Sequence, residues 1–345
     1  MPASAAKPLL DERHPTVRLL AYYDANARAL PWRSAPGEAP PDPYKVWLSE
    51  VMLQQTTVAT VKPRFRQFME RWPTLEALAA APEEQVLQEW AGLGYYARAR
   101  NLIACARQVA ALGGFPRTEA ELLKLPGLGA YTAAAIAAIA FGEQAVVVDT
   151  NVVRVVARYH GLDRPLADIR DQVRDLAAAM TPSDRPGDFA QAMMDLGATV
   201  CRPKRPICCD CPLALECRAY ASGTPEAFPA PKVRRERPHR YGTAWWIERE
   251  GAIWLVRRPA KGMLGGMASL PGPQWGEEET TATSLAVVSH GFTHFTLDLH
   301  VASRSAPPAG DGWWQPLDAI TEAGLPTLYA RAVEAVLSRK EALAA

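Results

Sequence analysis

The chain of 345 residues has room for two domains of ordinary size, roughly 100–200 residues each. Its 38 Lys and Arg nearly balance 37 Asp and Glu, so a net charge of +1 does not by itself indicate a nucleic-acid partner. Apolar residues make up 48% of the chain, which excludes a disordered protein. No apolar run approaches the roughly 20 residues of a membrane span, and the N-terminus lacks the apolar core of a signal peptide. We therefore expect a cytoplasmic protein with no membrane partner.

A mainly α-helical domain is predicted for residues 16–221, after a flexible N-terminus at residues 1–15. Apolar residues recur there at three- and four-residue spacing, and Tyr131 to Ala140 is rich in alanine. Prolines, Pro63 among them, are expected to separate helices of about ten to fifteen residues.

Glu50 lies in an apolar segment that runs from Tyr44 to Thr56. On a helix its neighbours would be Val46, Trp47 and Leu53, so the carboxyl would project from an apolar face. Desolvation would raise its pKa and keep it protonated, as a general acid requires. The alternative is a glutamate at a helix end or in a salt bridge.

A glycine-rich turn, residues 125–129, lies between two segments predicted as helical, residues 119–124 and 130–140. Gly127 and Gly129 permit a tight turn whose backbone N–H groups could hold a phosphate at the start of the second helix. Asp149 follows an apolar run and precedes a helical segment, which suits a helix N-cap; that position would keep the carboxylate ionised. The alternative for the turn is an ordinary helix–helix connection.

Four cysteines, Cys201, Cys208, Cys211 and Cys217, are separated by six, two and five residues. Four thiolates in one short loop match the ligand set of a [4Fe–4S] cluster. A structural zinc also accepts four cysteines but usually uses two Cys-x-x-Cys pairs, and only one occurs here. Cys209 and Cys105 are interpreted as bystanders.

A change to β character follows residues 222–240, which are predicted to be a linker. Residues 243–247 and 253–256 flank a turn at Glu250-Gly251, and residues 295–299 alternate as a half-buried strand does. A helix at about residues 329–337 closes this domain, residues 241–345. We therefore expect an α+β domain.

The order of these motifs resembles that of the helix–hairpin–helix glycosylases, the superfamily of endonuclease III, and above all the MutY-type adenine DNA glycosylases. The cysteine spacing is similar to their iron–sulfur loop, here residues 201–217, and the segment around Glu50 is similar to the MutY motif. Residues 262–267 and 270–272 resemble the Nudix-like C-terminal module of these enzymes. The implied fold is a mainly α glycosylase domain followed by an α+β Nudix-like domain.

The resemblance implies a monofunctional DNA glycosylase of base excision repair that removes adenine opposite 8-oxoguanine or guanine. Glu50 would protonate the flipped adenine, and Asp149 would stabilise the sugar cation before water hydrolyses the N-glycosidic bond. Tyr131 occupies the position at which bifunctional members carry a Schiff-base lysine, so little strand cleavage is expected. Asn151 matches a further polar residue of the active site.

Partners follow from the same resemblance: double-stranded DNA with the mispair, bound by a monomer at the nucleoid. The predicted DNA-contacting residues of the first domain lie in three short segments; they are Gln54, Gln55, Thr56, Leu93, Tyr95, Gly127 and Gly129. In the second domain Phe292 would wedge into the DNA, while Thr293 and His294 would hydrogen-bond oxidised guanine. A true Nudix hydrolase also needs a helix with an Arg-Glu and a Glu-Glu pair that bind magnesium. After Gly272 the sequence offers only Glu277-Glu278-Glu279 in a Thr-rich stretch, so we predict a binding module and not a second hydrolase.

Two other functions fit parts of the pattern. A related glycosylase could act on thymine opposite guanine, although the second domain argues against it. A non-catalytic iron–sulfur protein that binds DNA or senses redox state could retain the fold, although the presence of both Glu50 and Asp149 disfavours it.

Overall fold

The computed structural model describes residues 14–230, 237–259, 262–278, 283–292 and 294–344. These residues form two compact units: a helical one that includes residues 14–93 and 97–230, and a mixed one that includes residues 94–96 and those from 237 onward. None of the described helices is both long enough and apolar enough to span a membrane.

Twelve α-helices are described in the first unit, together with short 3₁₀ turns in the cysteine loop. They are α1 (Pro15–Asn26), α2 (Pro43–Leu53), α3 (Val58–Arg71), α4 (Leu75–Ala80), α5 (Glu83–Glu89), α6 (Tyr96–Ala111), α7 (Glu119–Leu122), α8 (Ala130–Phe141), α9 (Thr150–His160), α10 (Leu166–Met180), α11 (Pro186–Thr199) and α12 (Arg218–Ala221). The prediction of a mainly α domain is confirmed.

Helix starts follow local chemistry. The side-chain oxygens of Thr57, Thr74 and Thr118 each accept a hydrogen bond from the backbone N–H three residues later, at 3.2–3.3 Å. These bonds satisfy N–H groups that have no partner within a helix, so each threonine fixes where its helix begins.

The core of this unit is built around α8. Every residue of α8 from Thr132 to Ala140 is buried, and the helix packs against α2 on one side and α11 on another. Small alanine side chains allow this close approach. The arrangement brings the start of α8 to the face of α2 that carries Glu50.

Two details differ from the sequence-based expectation. Pro63 lies inside α3 and does not separate helices; it is exposed, so the Ala59 carbonyl that loses its intrahelical partner can bind water. The predicted flexible N-terminus is also too long, because His14 caps α1 and Pro15 begins it. Residues 1–13 lie outside the described residues.

The second unit contains seven described strands, four of them long enough to form its core. They are β1 (His239–Trp246), β2 (Glu248–Arg249), β3 (Ala252–Arg257), β4 (Ala268–Ser269), β5 (Ala286–Gly291), β6 (Thr296–Ser303) and β7 (Trp313–Pro316). One sheet has the order β1-β6-β5, with β1 and β6 parallel; the other has β2-β3-β4, and β7 pairs with β3.

Helix α13 (Thr327–Ala344) covers the first sheet. Alternate residues of β6, Leu297, Leu299 and Val301, are completely buried and share a core with Val333 and Val336 of this helix. The α+β prediction is confirmed. Strand β1 begins at His239, inside the range predicted as linker, and the turn at Glu250-Gly251 does join β2 to β3.

Candidate active site and DNA-contacting loops

Glu50 is buried in the first unit, with 6% of its surface exposed. It lies near the end of α2, where α2 packs against α8, and Tyr131 is the second residue of α8. The phenol Oη of Tyr131 donates a hydrogen bond of 2.7 Å to Oε2 of Glu50. Two residues that are 81 positions apart and that the sequence analysis selected separately therefore meet.

The surroundings of Glu50 favour its neutral form. Burial raises the pKa of the carboxyl above its ordinary value, and the negative charge of Asp149 acts in the same direction. The Tyr131 hydrogen bond and the positive charge of Arg33 lower it, but less than burial raises it. A carboxyl with a raised pKa can hold a proton and donate it, as a general acid does.

Asp149 caps α9 through two hydrogen bonds. Its Oδ1 accepts from the backbone N–H of Val152 at 2.7 Å, and its Oδ2 accepts from the Asn151 side-chain amide at 2.9 Å. Burial nevertheless raises the pKa of Asp149, and these hydrogen bonds only oppose that rise. Desolvation thus has a larger effect on this pKa than the hydrogen bonds at the helix N-terminus, and the ionised Asp149 stays a prediction.

Asn151 is held from two sides. Its side-chain oxygen accepts a 2.7 Å hydrogen bond from Arg154, whose guanidinium also donates to the carbonyl oxygens of Gly197 and Cys201 at 2.7 Å. Helix α11 approaches α9 so closely that a Cβ at Gly197 would lie 2.6 Å from Cβ of Asn151. The orientation of Asn151, and through it that of Asp149, is set by the packing of these two helices.

An ion cluster that the sequence analysis missed lies beside Glu50. Arg33 donates two hydrogen bonds to the Asp195 carboxylate, at 2.7 and 3.0 Å, and Arg28 donates a third at 2.6 Å. Although burial acts to raise the pKa of Asp195, its bonds to the two arginines hold it below the usual value. No short spacing could reveal this cluster, since Arg33 and Asp195 are 162 residues apart.

One face of α11 contributes further to the site. Gln191, Met194 and Asp195 lie on it at three- and four-residue spacing, and Met194 Sδ lies 3.3 Å from the Tyr131 hydroxyl. Gln191 is 4% exposed, and no donor among the described residues reaches its buried Oε1. A buried polar atom without a partner is costly, so it suggests a position for a ligand donor. Helical spacing in residues 191–195 was the available signal.

The predicted helix–hairpin–helix turn is present. Gly127 has a φ of +74°, and a Cβ there would lie 2.7 Å from Cβ of Asn101, so only glycine fits. Gly129 is the N-cap of α8 and provides no capping side chain. Both glycines are exposed. The N–H groups at the start of α8 therefore face solvent in an arrangement that suits a phosphate oxygen.

The predicted DNA-contacting residues at the end of α2 have different environments. Gln54 is half-buried, and its amide donates to the Thr132 hydroxyl at 3.1 Å. Gln55 is exposed and adopts a left-handed φ of 58°. Thr56 is half-buried, with its hydroxyl 3.3 Å from the Gln54 carbonyl oxygen. Of the three, only Gln55 presents its side chain to solvent.

Leu93 and Tyr95 also differ in the exposure of their side chains. Leu93 is buried, at 4% exposure, whereas Tyr95 is 55% exposed and has a φ of 48°. Non-glycine residues in this region are strained by about 1–3 kcal/mol, and such strain is common at functional sites. The geometry supports Tyr95 as a residue that could reach DNA and gives Leu93 a place in the core.

The four predicted cluster ligands follow α11 in one loop. Cys201, Cys208, Cys211 and Cys217 are all half-buried, and neighbouring cysteines contribute to the raised pKa of Cys208, Cys211 and Cys217. Burial is the larger cause and raises the pKa of Cys211 to about 12. Bringing four thiolates together here requires positive charge, which an iron cluster would supply.

Arg158 supports the same loop from α9. This guanidinium is 3% exposed and donates to Cys201 Sγ at 3.4 Å and to the carbonyl oxygens of Arg202 and Pro203. Cys217 Sγ in turn donates to the Arg158 carbonyl at 3.4 Å. The donor set and the hydrogen bond from Arg158 to the Cys201 sulfur fit a thiolate-bound cluster.

A site for a single metal ion would need several ligand side chains close together. No group of three His, Cys, Asp or Glu side chains is close enough for that among the residues the structure describes. Cysteines that bind different irons of one cluster are farther apart than ligands of one ion. Cys209 is exposed, and Cys105 is buried within α6.

In the second unit, Phe292 is half-buried in an aromatic cluster. Its ring centroid lies 4.7 Å from those of His290 and Phe295 and 5.4 Å from that of Trp275. His294 is exposed. Thr293 lies outside the described residues. To act as a wedge, Phe292 would have to leave these rings, whereas His294 is already accessible.

Two family models match the chain. The model described as HhH-GPD superfamily base excision DNA repair protein matches residues 48–177, and the NUDIX domain model matches residues 243–335. The first match includes Glu50, the hairpin and Asp149 but neither Arg33 nor α11 nor the cysteine loop, and the second includes Phe292.

Curated relatives named adenine DNA glycosylase are similar along much of the chain. The human protein is 42% identical over 315 residues, covering 76% of this chain and 58% of its own. The Mycolicibacterium smegmatis protein is 44% identical, covering 64% and 74%, and one from Buchnera aphidicola is 31% identical, covering 82% and 84%. The chain spans only 48–59% of the length of the human, rat, mouse and Arabidopsis thaliana relatives.

Solved structures match the helical unit. A thermostable thymine-DNA glycosylase aligns with a TM-score of 0.53 and 30% identity, covering 60% of this chain and 95% of its own. A trapped endonuclease III–DNA covalent intermediate aligns with a TM-score of 0.51 and 26% identity, covering 62% and 99%.

Proposed function

Because the chain belongs to the adenine DNA glycosylase family, we propose that it removes adenine from DNA by hydrolysing the bond between base and sugar. The observation that supports this most directly is the buried Glu50 carboxyl, hydrogen-bonded to Tyr131. Burial raises its pKa, which favours the protonated form needed to activate a leaving base.

The reaction divides between two carboxyl groups. Glu50 donates its proton to a ring nitrogen of the flipped adenine, so the C–N bond breaks with its electron pair on the base. The sugar is left as a cation, which the Asp149 carboxylate stabilises. Water then adds to the anomeric carbon and gives up a proton, so that the products are free adenine and an abasic site.

Tyr131 limits the chemistry to hydrolysis. An amine at this position could form a Schiff base with the sugar and allow strand cleavage, whereas a phenol cannot. Burial raises the pKa of Tyr131 well above its ordinary value, so it remains a neutral donor. We therefore propose a monofunctional enzyme.

The substrate proposed is double-stranded DNA with adenine opposite 8-oxoguanine or guanine. The Nudix-like unit would recognise the opposite base through residues 292–294, and the exposed His294 supports this role. The protein would act as a monomer at the nucleoid. A half-buried Phe292 implies that the DNA must draw this side chain out of its aromatic cluster.

We also propose a [4Fe–4S] cluster on Cys201, Cys208, Cys211 and Cys217. When bound, it would cross-link the loop through iron–thiolate bonds, in a structural role. Arg158 would donate to the Cys201 sulfur and, from the same nitrogen, to the Arg202 carbonyl oxygen of the loop. No step of the hydrolysis requires the cluster.

Single-turnover excision tests the function. Duplexes with adenine opposite 8-oxoguanine are incubated with wild type, Glu50→Gln and a control, Glu89→Gln, which alters a half-buried glutamate paired with Arg71. Breaks should appear only after alkali. Loss of the general acid should slow excision by roughly 10²–10⁴-fold, while the control should retain the wild-type rate.

Other results would support the rival functions. Faster excision of thymine opposite guanine would indicate the related glycosylase, and a Glu50→Gln variant as active as wild type would exclude the proposed acid. Intact DNA with pure, cluster-loaded protein would support a non-catalytic DNA-binding protein.

A further inference from the structure

Arg98, the third residue of α6, holds the end of α2. Its Nη1 donates to three backbone carbonyl oxygens, those of Val51 at 3.0 Å, Met52 at 3.2 Å and Gln54 at 2.5 Å. The last carbonyls of a helix lack intrahelical partners. Arg98 therefore caps α2 from outside and fixes the chain immediately before Gln55.

The other terminal nitrogen of Arg98 holds a second segment. Its Nη2 donates to the Leu93 carbonyl at 2.6 Å and lies 3.4 Å from the Thr56 hydroxyl. The guanidinium also lies over the ring of Trp90, 5.3 Å from its centroid. A planar group with donors on two edges can hold both segments at once, which the single ammonium of lysine cannot do.

Both segments contain a strained residue. Gln55 follows Gln54 directly with a φ of 58°, and Tyr95 has a φ of 48° two residues after Leu93. Such conformations persist only where neighbouring contacts hold them. The carbonyl oxygens of Gln54, one residue before Gln55, and of Leu93, two residues before Tyr95, are the ones that bind Arg98 most closely.

We propose that Arg98 is a positioning residue that fixes the chain at Leu93 relative to the end of α2. Gln55 and the residues after Leu93 then enter the DNA in a set geometry when the base is extruded. The inference rests on the proposed function for its DNA substrate, but the physical link between the two segments does not depend on that substrate.

Arg98→Lys and Arg107→Lys form a matched pair, since both residues lie on α6 and Arg107 donates only a 3.4 Å bond to the Ala79 carbonyl. Hydrogen–deuterium exchange should be faster in peptides covering residues 53–57 and 91–95 of Arg98→Lys. Peptides from α8 in that variant, and all peptides of the control, should exchange as in wild type.

Base extrusion gives the second readout. The fluorescence of a 2-aminopurine at the target position should rise more slowly with Arg98→Lys, by up to about 10²-fold, because the inserting residues are misplaced. The pH dependence of excision should stay as in wild type, since Glu50 and Asp149 are untouched. A pH profile that moves with the substitution would contradict a positioning role.

Native-state exchange of the wild-type chain requires no variant and covers the case in which Arg98→Lys fails to fold. The two segments should open with the same free energy, as one unit. Separate opening, or unchanged exchange in a folded Arg98→Lys, would overturn the inference. A wild type that excises no adenine would contradict the proposed function alone, because the exchange results would still decide the role of Arg98.

Discussion

The Tyr131 phenol donates to Glu50 Oε2 at 2.7 Å, so one oxygen of this carboxyl already accepts a hydrogen bond. When Glu50 is protonated, its proton is therefore on Oε1. The tyrosine orients the acid as well as influencing its pKa. A proton donor with a fixed direction is more effective than one that rotates among several positions.

Tyr131→Phe should move the basic limb of the pH–rate profile to higher pH. The hydrogen bond from Tyr131 stabilises the charged carboxylate and lowers the pKa of Glu50, so its removal raises that pKa further. The acid then stays protonated to higher pH. Single-turnover excision across a pH series measures the limb. Tyr159→Phe, which alters a phenol bonded to Glu216 at 3.3 Å, is the control. A limb that moves to lower pH would contradict this interpretation.

Asp195→Asn should destabilise the protein by about 3–5 kcal/mol, because the buried side chain of Arg33 and the half-buried one of Arg28 lose their counter-charge. Urea unfolding measures the loss. Asp24→Asn removes the exposed partner of Arg185 and should cost less than about 1 kcal/mol. Equal losses in the two variants would argue against the special position of Asp195.

The same carboxylate should give wild-type stability a pH dependence. The folded-state pKa of Asp195 is lowered, so its stabilisation is complete above the unfolded-state pKa of about 3.9 and disappears as the pH falls through the folded-state value. Asp195→Asn lacks this contribution. The difference in unfolding free energy between the two proteins should therefore shrink below about pH 4.

Gln191→Met should slow excision without destabilising the fold. Its buried Oε1 has no donor among the described residues, so an apolar side chain of similar length removes a desolvation cost of about 1–3 kcal/mol. The lost oxygen is one that the amine of a bound adenine could satisfy. Thermal unfolding and single-turnover rates are measured together.

Gln144→Met is the control for this pair of measurements. The Gln144 amide donates to the Thr181 carbonyl at 2.8 Å, so its replacement should not stabilise the protein. Excision should stay at the wild-type rate. If Gln191→Met loses stability and keeps activity, the proposed contact with the base is wrong.

Cys211→Ser should lose the visible absorption of an iron–sulfur cluster and much of the bound iron, whereas Cys209→Ser should keep both. Cys211 is half-buried within the loop, while Cys209 is exposed. Iron and sulfide analysis of the purified variants measures the outcome. Cluster loss in Cys209→Ser but not in Cys211→Ser would reassign the ligand.

Local motifs predicted much of the molecule. The hairpin, the caps of α8 and α9, and the apolar face around Glu50 depend on residues a few positions apart, and periodicity shows such relationships. The strands of the second unit followed from alternation in the same way. Glu50 could therefore be selected as a candidate proton donor before the fold was known.

Tertiary packing determined what the sequence could not show. Arg33 and Asp195 form their ion pair only because α11 packs against α1, which precedes Arg33, and Leu93 is buried although it was predicted to contact DNA. The pKa of Asp149 also depends on packing. A helix N-terminus is visible in sequence, whereas the desolvation that outweighs it depends on the surrounding core.

Gly197 has no functional group, yet it sets the separation of the helices that carry Asn151 and Asp195. Any larger residue would bring its Cβ to 2.6 Å from that of Asn151 and force α11 away from α9. In a scan of all single substitutions, replacement of Gly197 should therefore reduce activity as strongly as replacement of Glu50 or of a cluster cysteine. A substitution at this glycine could therefore abolish the proposed activity while every reacting group remained unaltered.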